Sequence, residues 1–412
     1  MKDKLTRAEK SWILYDVGNS AFTMLVATTI PIFFKGLTDE AGIDTVYASG
    51  LWSTVTAVAV LILALLSPVL GALADYAGMK KKMFVCALAV GLAGLGCLAL
   101  TGSWAAYLAF FVVARLGYSA CNVFYDAMLT DVTTDERMDR VSAAGYAWGY
   151  IGSCIPFVAG IALIFTTPFG MSTMQATQLS FLLTAVWWVA LTVPLLRNVR
   201  QTYGLADRQG KVADVFRRLA ATFRKLRRDK GLLLYILAYF FYIDGVYTII
   251  SLATTYGAEV GISSTQLILA LLVTQFVAFP SAIAVARLAG KYGALRMIRV
   301  SIAAYMVICL FGFQLDQAWE FWVLAVAVGM FQGGIQSLSR SQFGRMIPKE
   351  EANEYFGLFD VFGKGADFFG PLLVAASAFV LGSSSYGVLA LVVLFAVGYA
   401  LLRRSERYLD GR

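Results

Sequence analysis

Four stretches of this sequence place polar residues at helical spacing within apolar surroundings. Asp16, Asn19, Ser20 and Thr23 stand at i, i+3, i+4 and i+7, so they share one helix face. Similar spacing relates Arg115, Tyr118, Asn122 and Asp126, and again Asp244, Thr248, Ser251 and Thr255. Gln332, Gln336, Ser339 and Arg340 form the fourth set. A charge at a bilayer centre costs roughly 2.5–3.5 kcal/mol on insertion scales, so an ionisable residue there is expected to have a task. Carboxylates suit proton exchange; guanidinium, amide and hydroxyl groups suit holding a small polar solute. The chain has no histidine, which excludes His-based metal sites and His proton relays and leaves carboxylates as proton carriers. No metal site and no cofactor is expected. A Walker-type Gly-rich loop with Lys-Ser/Thr and a Gly-x-Ser-x-Gly element are both absent, which argues against an ATP-driven pump and against a serine hydrolase.

Depth divides the roles. Arg115 and Asp244 fall near the middle of their apolar stretches and are candidates for coupling or solute contact, alternatively for an ion pair that fixes packing. Asp16 lies about 6 Å inside the start of its stretch at 1.5 Å per residue. That suits a gate residue pairing with Arg115 or a neighbouring basic group. Tyr242, Tyr247 and Trp148 accompany the polar faces. Asp360, Lys364 and Asp367 stand at i, i+4 and i+7. They read either as a self-neutralising triad or as a fixed positive centre able to attract a carboxylate.

The elements that must position these residues follow from hydropathy. Of 412 residues, 59% are hydrophobic and 15% charged, against about 25% charged in soluble domains. A hydrocarbon core of about 30 Å needs roughly 20 apolar residues per helix. Such windows occur at 12–34, 48–72, 83–101, 104–126, 141–165, 178–196, 231–254, 265–288, 297–314, 320–340, 354–380 and 386–402. The chain therefore reads as an all-α membrane protein of twelve transmembrane helices. The first window is too long for a signal peptide and is read as a retained span. The five cysteines lie inside apolar runs with no metal-ligand spacing. Trp12, Trp52, Trp104 and Trp319, near span ends, are expected in the interfacial belt. Gly145, Gly149 and Gly152, with Pro156, predict close helix packing on span 5.

The net charge of +8 belongs to the loops, not to nucleic-acid binding. With the N-terminus in the cytoplasm, 31 of the 34 Lys and Arg fall on that side. This predicts two cytoplasmic termini in a multi-pass cell-membrane protein. The longest polar gap gives a first half at 1–196, a linker at 197–230 and a second half at 231–412. Within the linker, Val212, Val215, Phe216, Leu219, Phe223 and Leu226 alternate with arginines, as in a basic amphipathic helix lying on a membrane surface. The loop GALADYAGMKK from Gly71 corresponds to ARLAGKYGALR from Ala286, 215 residues later. The same offset relates Asp135-Glu136 to Glu350-Glu351 and Pro156 to Pro371, which argues for duplicated halves.

The spacing of Gly71, Asp75, Gly78, Lys80 and Lys81 resembles the signature loop of the major facilitator superfamily, read here as a cytoplasmic gate. Four stretches further resemble the vacuolar amino-acid effluxers of the autophagy-related family: WILYDVGNSAF (12–22), YDAMLTDVTTDERMDRVSAAGYAWGYIG (125–152), YIDGVYTIISLATTYGAE (242–259) and FQGGIQSLSRSQFGRMIPKEEANEYFGLF (331–359). Asp360 and Asp367 stand where uncharged residues are expected. The resemblance implies a major facilitator fold of two six-helix halves, with spans 1, 4, 7 and 10 lining the solute route. It also implies export of a small solute such as an amino acid by alternating access. The expectation is then a secondary active transporter, proton-coupled or else facilitative, working as a lipid-embedded monomer. The candidate site is then Asp16, Asn19, Arg115, Asn122, Asp126, Asp244, Tyr247, Gln332, Gln336 and Lys364. A multidrug exporter of the same fold is one alternative; a membrane receptor or scaffold is another.

Overall fold

The computed structural model describes residues 4–206, 212–259, 261–315, 317–381 and 385–409, without the side chains of 212–214, 254, 255, 258, 259, 264, 365–368, 378 and 381. Thr255, Asp367, Val212 and the turn at 382–384 therefore lie outside the described residues, as side chains or entirely. The described residues form helices α1 (Arg7–Ala27), α2 (Thr29–Glu40), α3 (Thr45–Ala74), α4 (Lys80–Leu100), α5 (Trp104–Ala127), α6 (Leu129–Val132), α7 (Met138–Thr166) and α8 (Thr173–Asn198). After these come α9 (Val212–Arg228), α10 (Lys230–Glu259), α11 (Ser264–Tyr292), α12 (Ala294–Phe313), α13 (Ala318–Met346), α14 (Ala352–Leu381) and α15 (Ser385–Leu409). Eleven spans among the described residues are long and apolar enough to cross a membrane, and the 30-residue α14 stands at the remaining expected window.

The chain clusters into two compact units. The first comprises Met1–Thr133, Trp148–Gln209 and Lys349–Gly357; the second comprises Thr134–Ala147, Gly210–Pro348 and Leu358–Arg412. The first turns of α7 thus pack with the second unit, and the first turns of α14 with the first.

Within the first unit, α1 packs on α8, α4 on α5, α3 on α5 and α4 on α8. Within the second, α10 packs on α15, α12 on α13, α11 on α13 and α12 on α15. Counted by span, both are the pairings first–sixth, third–fourth, second–fourth and third–sixth, so the repeat read from two loops extends to the packing plan. Missing side chains set the closest approaches. A Cβ on Gly117 of α5 would lie 2.2 Å from the Gly91 nitrogen of α4. On α7, a Cβ at Gly152 would meet Val17 of α1 at 2.3 Å, and one at Gly149 would meet Ser20 at 2.8 Å, as the small-residue pattern of span 5 predicts.

Two expectations need correction. The first span begins at Arg7, where Thr6 and Glu9 form a capping box, and the helix breaks at Thr28. Asp16 is therefore nine residues into α1, about 14 Å along it, and buried. Trp12 is not interfacial: it is fully buried, stacks on Tyr125 at 4.4 Å and donates from Nε1 to the Tyr125 carbonyl at 2.9 Å. A buried indole N–H requires an acceptor, and the end of α5 supplies one.

Candidate functional site

The polar face of α1 meets that of α5 inside the first unit. Asn19 Nδ2 donates to Asn122 Oδ1 at 2.7 Å, and the Thr23 and Tyr118 hydroxyls share a hydrogen bond at 2.7 Å. Tyr118 lies within electrostatic reach of both Asp16 and Arg115. Asp126, one turn beyond Asn122, is half-buried. Arg115 is 11 residues from the start of α5, about 16 Å along it.

In the second unit, Asp244 sits midway along α10, 14 residues from Lys230, or about 21 Å. Its carboxylate is wholly buried, and Oδ1 accepts the Gly370 N–H of α14 at 2.9 Å. That contact depends on the bare glycine. A Cβ there would lie 1.8 Å from Thr248 Oγ1 and 3.0 Å from Asp244 Oδ1. Gly370→Ala is therefore expected to force α10 and α14 apart and destabilise the protein by about 1–3 kcal/mol, measurable as a lower Tm in detergent. An unchanged Tm would mean that Asp244 is not held in this way.

One turn past Asp244, Thr248 lines an apolar cavity of about 130 Å³ together with Leu252, Tyr256, Leu271, Gln275 and Gln332. That volume resembles an engineered cavity of roughly 150 Å³ that takes up benzene. Tyr247 and Gln336 are half-buried, and Lys364 pairs with Asp360 along α14. Ser339 and Arg340, counted with the polar face of span 10, have other partners. Ser339 Oγ bonds Tyr242 OH at 2.6 Å, and its carbonyl accepts from Tyr235 OH at 2.9 Å. Arg340 donates from Nε to Ser142 Oγ at 3.0 Å and from Nη2 to the Ser142 carbonyl at 3.1 Å, with its guanidinium 4.4 Å from the Tyr146 ring centre. Beside it, Asp139 pairs with Arg345 and accepts from Ser341 Oγ at 2.5 Å. These bonds tie the start of α7 to the end of α13.

The loop from Gly71 to Lys80 is joined to partners the sequence does not announce. Asp75 Oδ1 accepts Asn353 N and Nδ2, both at 2.8 Å, and Oδ2 accepts Glu354 N at 3.1 Å. A carboxylate from the α3–α4 loop thus caps the first turn of α14, where unsatisfied N–H groups and the helix dipole favour negative charge. Gly71 permits the approach, since its Cβ would fall 2.2 Å from the Asn353 carbonyl oxygen. Lys80 forms a fully buried pair with Asp131 of α6 at 2.5 Å. Asp131 Oδ1 also accepts the backbone N–H groups of Thr202 and Tyr203, at 2.8 and 3.1 Å. The Gln201 side chain accepts Gly78 N and Lys80 N and donates to the Tyr203 carbonyl, while Tyr76 and Leu205 form a parallel bridge. The start of the linker is therefore strapped along the loop. Asp131 and Gln201 carried no spacing that would have singled them out; Lys80 lies 51 positions from Asp131 and 121 from Gln201.

Comparison with known proteins identifies the family. The family model described as "Vacuole effluxer Atg22 like" matches residues 6–407. The MFS-type transporter YxiO of Bacillus subtilis (strain 168) is 42% identical over 410 residues, covering 98% of this chain and 95% of its own. Autophagy-related protein 22 of Yarrowia lipolytica (strain CLIB 122 / E 150) is 30% identical over 271 residues, covering 57% of this chain and 45% of its own. Among solved structures, the human organic anion transporter MFSD10 superposes with a TM-score of 0.71 at 16% identity, covering 96% of this chain and 99% of its own. The transporter FucP in its outward conformation gives 0.70 at 15%, covering 97% of each chain. At such identities the likeness shows the fold alone. Together with the polar faces and the signature loop, these matches place the chain in the Atg22-like vacuole effluxer family, as a major facilitator transporter of small solutes and not an enzyme.

Proposed function

We propose that the chain is a proton-coupled exporter of amino acids, working by alternating access in the cell membrane with both termini in the cytoplasm. The observation that carries the coupling is Asp244: a wholly buried carboxylate in the middle of a membrane-spanning helix, whose Oδ1 accepts the Gly370 N–H. With no histidine in the chain, a carboxylate is the group able to exchange protons near neutral pH. Within the second unit, Asp244 and the Asp360–Lys364 pair supply groups of both signs, which suits a zwitterion. The neighbouring apolar cavity suits an apolar side chain. The basic asymmetry of the loops supports the orientation. That same cavity favours a second reading, an exporter of apolar amphiphiles.

Purified protein in liposomes separates the two readings. A pH gradient should drive accumulation of amino acids across a panel that also includes peptides and amphiphilic drugs. Asp244→Asn should abolish gradient-driven accumulation while solute–solute exchange persists, because exchange needs no net proton movement. Full gradient-driven accumulation in Asp244→Asn removes Asp244 from the coupling role. Flux of amphiphiles alone supports the second reading.

A further inference from the structure

Helix α9 divides into three faces. Val215, Leu219, Thr222 and Leu226, spaced i, i+4, i+7 and i+11, are buried against the protein. Beside that stripe, Phe216 and Phe223 lie one above the other two turns apart and remain 58% and 46% exposed. Next around the helix come Arg227, Arg224 and Arg228, all exposed. Arg224 Nε donates to the Ala220 carbonyl at 3.3 Å. An exposed aromatic edge bordered by arginines is the pattern of a helix seated in a head-group layer, with rings at the acyl boundary and guanidinium groups on phosphates.

Position supports the same occupant. α9 ends at Arg228 and α10 begins at Lys230, so one residue separates the amphipathic helix from a membrane span. That residue, Asp229, accepts the Leu232 N–H at 3.0 Å and starts α10 with a cap. So short a junction keeps α9 at the level where α10 enters the bilayer. An acidic protein would satisfy the arginines but would leave two phenylalanines unused beside a lipid surface.

We infer that α9 is a docking site for anionic phospholipid, with Phe216 and Phe223 inserted and Arg224, Arg227 and Arg228 on the phosphates. This inference does not depend on the solute transported or on proton coupling. It predicts that the linker is ordered by the charge of the surrounding membrane.

The test is hydrogen exchange of the full-length protein in nanodiscs of phosphatidylcholine, with and without about 40% phosphatidylglycerol. Each basic side chain near an anionic surface strengthens binding roughly fivefold, so amides of 216–228 should exchange at least about tenfold more slowly in the anionic discs. Salt at about 0.5 M screens exposed charges within a few ångströms and should reverse that slowing in the unsubstituted protein. R224Q/R227Q/R228Q should lose the dependence on anionic lipid, and so should F216S/F223S, with exchange in α10 unchanged. Equal exchange in both discs, or slowing that survives high salt, overturns the inference. Slowing that arises in phosphatidylcholine only after an acidic protein such as bovine serum albumin is added assigns the face to protein and also overturns it.

Discussion

Asp131→Ala is expected to destabilise the protein by about 3–5 kcal/mol, because it leaves the Lys80 ammonium buried without its partner. Both side chains are essentially inaccessible to water, so solvent screening cannot soften the loss. The same change removes the acceptor shared by Thr202 and Tyr203, which frees the start of the linker. Replacing both charges, as in Lys80→Met with Asp131→Leu, should recover part of the stability, since apolar residues of similar volume often substitute for a buried pair without penalty. Recovery should stay incomplete by about 1–3 kcal/mol, because two backbone donors still lack their carboxylate. Thermal unfolding in detergent measures all three proteins. A double variant as unstable as Asp131→Ala would show that the unpaired charge is not the cause.

Asp75→Ala is expected to have a comparable effect on a different part of the molecule. Hydrogen bonds to a charged acceptor contribute about 1.5–3 kcal/mol each, and Asp75 accepts three through two oxygens. Because one carboxylate serves them all, the contributions do not add fully, and a loss of about 3–5 kcal/mol is expected. Asp75→Asn should recover only part. Its carbonyl can replace Oδ1 toward Asn353, but its amide then points N–H toward the Glu354 N–H, donor against donor. The readout is local: amide exchange at Asn353 and Glu354 should accelerate strongly in the alanine variant and less in the asparagine variant. Unchanged exchange there would rule out Asp75 as the cap of α14. In a transporter this contact also has kinetic weight, since it joins the α3–α4 loop to the first turn of a distant helix. Loss of the cap should therefore lower the rate of solute turnover, measured in the same liposomes.

The sequence by itself determined the all-helical membrane class and roughly where the spanning helices lie, eleven of them found long and apolar enough among the described residues. Hydropathy is a local property, and a bilayer imposes nearly the same length on every span. It also exposed the internal repeat, because Gly78 and Lys81 of one loop stand 215 residues before Gly293 and Arg296 of the other, and Asp135-Glu136 and Pro156 repeat at the same offset. The polar faces of α1, α5 and α10 were legible for a similar reason: a helix puts every third or fourth residue on one side, so spacing alone identifies a shared face. Asn19 and Asn122 illustrate this, being predicted on separate spans and found hydrogen-bonded to each other.

What tertiary structure alone decided were the partners. Asp75 was legible as part of a signature loop, but its partner was not, because Asn353 lies 278 positions away. Trp12, close to a span end, resembled an interfacial residue until Tyr125 supplied both a stacking ring and an acceptor for its N–H. Arg340 belonged by spacing to a polar face, yet its guanidinium is held by Ser142 and Tyr146. Each case has the same physical origin. Spacing along a helix states which residues face the same way, whereas a hydrogen bond across helices depends on which backbone comes close enough. That approach is set by glycines such as Gly71 and Gly370, whose missing side chains leave no periodic trace.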